Sequence, residues 1–269
     1  MGVPIADGYR ELAPPPGLRR ALDCVWVRVV PAGGAAPVRV LPDACSDLIW
    51  RSGEGAFIAG PDTGPVLGPA RPGSVVVGAR FLPGAGGPAL AHPLDELRDT
   101  RVDLRELLPP LARRLDPDLS PTAALRQVVL VARRLAEARP PDAVAAPAAR
   151  RLANPHARSA AVARELGVSE RHLRRRFLAS VGYGPKTLQR VLRFRRFLRQ
   201  LDLAGGDADL ARLAADCGFA DQAHLTRECS RLAGLSPAAM VRERGGAPRL
   251  YERATSSTTL PVAPRPSIS

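Results

Sequence analysis

The sequence predicts an α+β chain in two domains. Residues 1–139 read as a small N-terminal β-barrel or sandwich with flanking helices, and residues 140–245 as an all-α domain of two helix-turn-helix units joined by a long helix. Residues 246–269 read as a disordered tail. Three observations carry this. Short apolar segments cut by Gly and Pro fill the chain as far as Leu82, apolar residues recur at helical spacing beyond Asp142, and most of the excess positive charge lies in the second half.

Residues 1–18 contain Pro14-Pro15-Pro16-Gly17 and read as a loose lead-in. Strand-sized apolar segments follow at Cys24–Val30, Val38–Leu41, Asp47–Trp50, Ala56–Ile58 and Val75–Leu82. Pro-Ala-Gly-Gly, Ser-Gly-Glu-Gly and Pro-Gly-Ser separate them, which predicts hairpins and hence a sandwich or barrel. After Pro93 the texture changes: Leu94, Leu97, Leu104, Leu107, Leu108, Leu111 and Leu115 fall at helical spacings. Ser120 then caps a helix that has Pro121 in its first turn and runs to about Ala138. Arg139-Pro140-Pro141 stops it and marks the domain boundary.

Beyond that boundary the pattern is helical throughout. Helices are expected over Asp142–Ala153, Ala160–Glu165, Ser169–Ala179, Pro185–Leu203, Leu210–Ala215, Gln222–Leu232 and Pro237–Arg242. From Gly245 the chain is rich in Ser, Thr and Pro, with little apolar surface to bury.

Charge divides the chain in the same place. The 269 residues carry a net charge of +13 with a pI near 11.1, and Lys186 is the only lysine. Residues 1–150 hold 18 arginines against 16 acids, whereas residues 151–245 hold 17 arginines and Lys186 against 9 acids. A near-neutral half joined to a strongly basic one implies that the basic part meets a polyanion. A GC-rich genome, in which arginine replaces lysine everywhere, explains the missing lysine but not this asymmetry. Aromatics at 4% argue against single-strand reading by base stacking.

The basic half repeats itself. His172-Leu173, Arg175, Gly182 and Pro185 recur 52 residues later as His224-Leu225, Arg227, Gly234 and Pro237, and Ala163 and Gly167 recur at an offset of 51 as Ala214 and Gly218. Each copy has the grammar of a helix-turn-helix: a small residue where two helices cross, a glycine in the turn, and a cap (Ser169 or Asp221) before the second helix. Leu173 and Phe177 lie four apart on a buried face, as do Leu225 and Cys229. The opposite face then presents Glu170, Arg171, Arg174 and Arg175 in the first copy and Gln222, Ala223, His224 and Arg227 in the second. Those are the positions that a recognition helix offers to the major groove. Ser169, Lys186, Arg193, Arg196, Arg199 and Arg231 are the candidates for phosphate contact. A generic helical bundle is the competing reading of a single copy; the tandem copy with its charge favours duplex DNA.

On these residues, Asp142 to Arg242 resembles the DNA-binding domain of the AraC/XylS family of bacterial transcription regulators. The stretch Leu210 to Arg227 is similar to the family's signature, and Gly234-Leu235-Ser236-Pro237 to its closing motif. The first copy adds Leu166 to Phe177 and Gly182-Tyr183-Gly184-Pro185. Cys229 stands where the family usually has phenylalanine, and Met240-Val241-Arg242 lacks the family's aromatic. Residues 41–50, 58–61 and 77–84 resemble an uncharacterised β-rich domain that precedes this DNA-binding domain in some regulators. The resemblance implies a sequence-specific transcription regulator modulated by its N-terminal domain. The alternative is an architectural DNA-binding protein whose N-terminal domain only dimerises.

Other classes find little support. No apolar window reaches the ~20 residues of a membrane helix, no leader pattern opens the chain, and Cys24, Cys45, Cys217 and Cys229 form no C-x-x-C pair. These features lead to the expectation of a cytoplasmic, nucleoid-associated protein with reduced thiols and no metal or cofactor. Only His92 lies in the N-terminal half, too few histidines for a barrel metal site. No phosphate loop or nucleophile elbow occurs, and Asp43 and Asp47 would raise the Cys45 thiol pKa, away from a reactive thiolate. The chain is therefore expected not to be an enzyme. Asp43, Asp47, Trp50 and Arg80 are the ligand-pocket candidates of the N-terminal domain, for a small-molecule effector or a protein partner. RNA polymerase and a second copy of the chain complete the expected partners, and no membrane is among them.

Overall fold

The computed structural model of the chain describes residues 8–246 apart from 36, 70 and 205–208, and side chains as far as 242. The expected disordered tail lies, from residue 247 on, outside the described residues. Among the described residues the first half builds eight strands: β1 (Gly8–Leu12), β2 (Leu22–Val29), β3 (Val38–Val40), β4 (Ser46–Arg51), β5 (Gly55–Ala59), β6 (Val66–Gly68), β7 (Val75–Phe81) and β8 (Arg101–Asp103). Six of them form one antiparallel sheet in the order β1-β2-β7-β4-β5-β8, while β3 and β6 pair as a separate two-stranded ribbon. The lead-in expected over residues 1–18 differs from the structure at residues 8–12, and residues 1–7 of it lie outside the described residues. Residues 8–12 add an edge strand that pairs with β2 from Gly8↔Val29 to Leu12↔Val25.

Alternation decides the two faces of the sheet. Val25, Val27, Leu48, Trp50, Ile58, Val77, Ala79 and Phe81 point to one face and form its core with Leu104 and Leu115. Helix α4 (Pro121–Ala138) closes that face with Ala124, Val128, Val131 and Ala132, all fully buried. Its start follows the sequence: the Ser120 hydroxyl accepts from the Ala123 amide, and Pro121 occupies the first turn. Short helices α1 (Gly86–Leu90), α2 (Leu104–Leu107) and α3 (Pro109–Ala112) fill the connections. The other sheet face carries Tyr9, Cys24, Trp26, Ile49 and Val76 together with a group of charges. Trp26 lies flat across Gly78, where a Cβ would stand 2.2 Å from its ring.

The second half is helical as expected: α5 (Ala145–Leu152), α6 (Ser159–Glu165), α7 (Glu170–Val181), α8 (Pro185–Ala204), α9 (Leu210–Cys217), α10 (Gln222–Ala233) and α11 (Pro237–Gly246). Both repeats share one core. Leu173 and Phe177 of the first and Leu225 and Cys229 of the second surround Leu188, Val191, Phe194 and Phe197 of α8, the joining helix.

The two halves are not hung on a slack linker. Asp142 caps the entry to α5, its carboxylate accepting from the Val144 and Ala145 amides, and its own amide donates to the Gly84 carbonyl at 2.8 Å. The same side chain meets Ser180 and Arg176 of α7. In the other direction, Leu41 and Ala44 from the loop between β3 and β4 belong to the helical core. Ala44 holds a left-handed φ of 71° there, a conformation that costs a non-glycine residue energy and needs tight surroundings to persist.

Candidate nucleic-acid interface

Each recognition helix is started by a side chain from the turn before it. The Ser169 hydroxyl accepts from the His172 amide at 3.1 Å, and the Asp221 carboxylate from the His224 amide at 2.6 Å. Ala163 and Ala214 are 1% exposed, which lets α6 cross α7, and α9 cross α10, at close range. Gly167 and Gly218 take positive φ in the two turns. With Leu173, Phe177, Leu225 and Cys229 turned inward, Glu170, Arg171, Arg174 and Arg175 stand exposed on α7, as do Gln222, Ala223 and Arg227 on α10. Arg171, Arg174 and Arg227 make no ion pair among the described residues, so their guanidinium groups face water. Arg175 rests 3.4 Å from the His172 ring. His224 differs from its companions: its Nδ1 accepts from the Ala220 amide, and its ring meets Phe219 edge-on at 5.4 Å. Half of this side chain is therefore spent on holding the turn.

The phosphate candidates divide. Lys186, Arg199 and Arg231 are exposed. Ser169 uses its hydroxyl as the helix cap. Two further candidates, both on α8, have partners within the helical domain. Arg196 donates to the Ala153 carbonyl at 2.6 Å and to that of Cys217 at 3.4 Å, tying the ends of α5 and α9 to α8. Arg193 lies over the Phe219 ring at 5.6 Å. Main-chain carbonyls and an aromatic face thus occupy these two guanidinium groups within the helical domain.

In the N-terminal domain the structure brings together three of the four pocket candidates. Arg80 Nε lies 3.0 Å from Asp43 and 3.3 Å from Asp47, and its Nη1 lies 3.3 Å from Glu11. Asp47 also accepts from the Trp26 indole at 2.7 Å. Burial opposes the charge on Arg80, but the Asp43 and Asp47 carboxylates hold its pKa well above the ordinary value. Burial pushes the Asp47 carboxyl up to about 6, against the pull of Arg80. Trp50 does not join them. It stands on the opposite face of β4, fully buried, and donates to the Asp116 carbonyl at 2.9 Å. The three charges form a buried network with Glu11 and Trp26, which braces this face of the sheet. Cys45 is buried beside it, and burial followed by Asp43 raises its thiol pKa.

One residue that the sequence reading passed over stands out. Arg28 on β2 is half-buried, has no carboxylate partner among the described residues, and lies near Gly68 of the β3–β6 ribbon. Burial first, and then the like charge of Arg51, lower its pKa. Its signal is its place opposite Tyr9 in the strand register, which becomes visible only once residues 8–12 pair as β1. No group of three or more His, Cys, Asp or Glu among the described residues is arranged to hold a metal ion.

Two capped recognition helices on a shared core, each presenting basic side chains outward, define a DNA-binding transcription regulator. The second half is an AraC-type helix-turn-helix domain: the profile of a helix-turn-helix domain matches residues 162–243, and that of a domain of unknown function (DUF6597) matches residues 10–103. No curated protein matches the chain. Among solved structures the chain is similar to ToxT from Vibrio cholerae, at 9% identity over 82% of this chain and 99% of that one, with a TM-score of 0.44. Wild-type ToxT with bound unsaturated fatty acid matches at 12% identity over 90% and 96% of the two chains, with a TM-score of 0.41. ToxT bound to (E)-4-(8-methylnaphthalen-1-yl)but-3-enoic acid matches at 10% over 81% and 98%, with a TM-score of 0.42. No described helix is long and apolar enough to cross a membrane.

Proposed function

We propose that the chain is a sequence-specific regulator whose two recognition helices read adjacent major-groove segments of one duplex, under the control of its N-terminal domain and with no catalytic activity of its own. The repeat-equivalent pair α7 and α10, capped alike and both seated on α8, carries this reading. A 20-residue helix such as α8 spans about 30 Å at ~1.5 Å per residue, the order of one turn of duplex. Glu170, Arg171, Arg174 and Arg175, with Gln222, Ala223 and Arg227, are the proposed base readers, and His224 contributes through its remaining nitrogen. Lys186, Arg199 and Arg231 are the proposed phosphate contacts.

Control by the N-terminal domain is proposed to act from the sheet face beneath the β3–β6 ribbon. Arg28 there offers an unpaired guanidinium beside Trp26 and Val76, suited to an apolar carboxylate effector. An unsaturated fatty acid, the ligand named for one ToxT structure, is a fitting first probe of the full chain.

Selection from a random duplex library with the full chain, followed by footprinting, tests the reading. Two protected half-sites about 10 bp apart on one face of the duplex are expected. Arg174→Ala should lose ~1–3 kcal/mol on the selected duplex and relax one or two base pairs. A single short footprint, or an equal loss on every sequence, would sink it.

A further inference from the structure

We propose that the N-terminal domain is a bracket that fixes the spacing and mutual orientation of the two recognition helices, and so sets which half-site separation the chain accepts on duplex DNA. This rests on the DNA-binding reading above and adds to it a specificity role for residues far from the bases. The observation behind it is a matched pair of contacts. Gly182 and Gly234, which close α7 and α10, occupy equivalent places in the two repeats. The N-terminal domain reaches each closing turn with one arginine. Arg98, from the turn before β8, donates to the Gly182 carbonyl at 3.3 Å. Arg39 of β3 donates to the Ala233 carbonyl at 3.1 Å.

The chemistry suits the place. The last carbonyls of a helix lack intrahelical donors and form its negative pole, so a guanidinium is the natural partner. Backbone contacts surround both arginines. At α7, the Leu94 amide donates to the Ala179 carbonyl at 2.9 Å, and α1 approaches so closely that a Cβ on Gly87 would stand 2.2 Å from that same oxygen. At α10, Pro65, just before β6, lies within 3.6 Å of where a Cβ on Gly234 would stand. Between them, Arg195 of α8 donates to the Asp43 carbonyl at 2.9 Å. All these contacts sit at the C-terminal ends of the recognition helices or on the helix between them. The base-facing residues occupy the N-terminal halves, about 10 to 18 Å from the closing glycines at ~1.5 Å per residue. The bracket therefore leaves the reading ends open while holding their separation.

Adding one base pair between half-sites shifts the second by about 3.4 Å and turns it by roughly 35°. A pair of helices held at both closing turns cannot follow that displacement, whereas a pair released at one turn can. The experiment uses the full chain, the duplex it selects from a random library, and two derivatives with one base pair inserted or removed between the half-sites. The wild type should lose tenfold or more in affinity on both derivatives. Arg39→Ala, which releases the closing turn of α10, should bind the parent duplex within a few-fold of wild type yet lose no more than about threefold on the derivatives; Arg39→Lys should fall between, and Arg98→Ala, which leaves the Leu94–Ala179 hydrogen bond in place, should relax the discrimination less. Circular dichroism confirms that each variant is folded; Arg39 is partly exposed and Arg98 exposed, so each is truncated without opening a core. Discrimination as sharp as wild type in both alanine variants would overturn the bracket while leaving the DNA-binding reading intact. Failure of the wild type to select any duplex would overturn both.

Discussion

Asp47 is shut away from water between Arg80 and the Trp26 indole, with a carboxyl pushed up to about 6 because burial outweighs the attraction of Arg80. An unfolded aspartate titrates near 3.9, so between about pH 4 and 6 the folded chain holds a proton that the unfolded chain has released. The contribution of this group to stability is therefore present at the acid end of that window and is lost as pH rises through 6. Asp47→Asn removes the titration and keeps an acceptor for Trp26. The melting temperature of the wild type relative to the variant should accordingly be higher at pH 4.5 than at pH 7. A difference that grows with pH would mean that Arg80 holds the carboxyl low instead. The grouping of Asp43, Asp47 and Arg80 was legible from the sequence as apolar strands bearing charges. Trp50 faces away from that group, as its position on the strand dictates: it lies three residues from Asp47, and odd separations face opposite sides.

Elements differed in how far they could be read. The long helices and the two caps at Ser169 and Asp221 announce themselves locally, through spacing and a single side-chain type before each helix. β1, β6 and β8 do not. They are three to five residues long and become strands only through a partner: β2 for β1, β3 for β6 and β5 for β8. Such edges carry too few residues for a period of two to show. Arginines are hard for another reason: nothing in the sequence around Arg196 marks its two carbonyl partners, which only the fold supplies. The contact of α1 with α7 is also a matter of assembly. A methyl group on Gly87 would meet the Ala179 carbonyl and the Ser180 Cα, both main chain and unable to swing aside. Gly87→Ala should cost about 1–3 kcal/mol, as overpacking does, read as a lower midpoint in chemical denaturation. An unchanged midpoint would show that α1 stands off from α7 in solution.

At the scale of the molecule, the seam between the halves was the part furthest from view. It joins residues as distant as Arg39 and Ala233, and no local pattern encodes a pairing across that separation. Leu41 and Ala44 lie in the helical core while Asp142 is anchored on Gly84, so each half completes the other. Unfolding should then be a single transition. Both tryptophans, Trp26 and Trp50, report on the sheet, whereas far-ultraviolet circular dichroism is dominated by the helical half. Melting curves from the two signals should coincide, as in a two-state system; separate midpoints would show that the seam opens before either core.

Lys186 stands exposed in the first turn of α8, after the first repeat and before the second. Because it is the chain's one lysine, amine-directed chemistry addresses a single internal address in this protein. A dye or crosslinker placed there sits at the joint between the two reading units. A lysine-specific protease has one internal bond to cut, and the cut would part the first reading unit from the second.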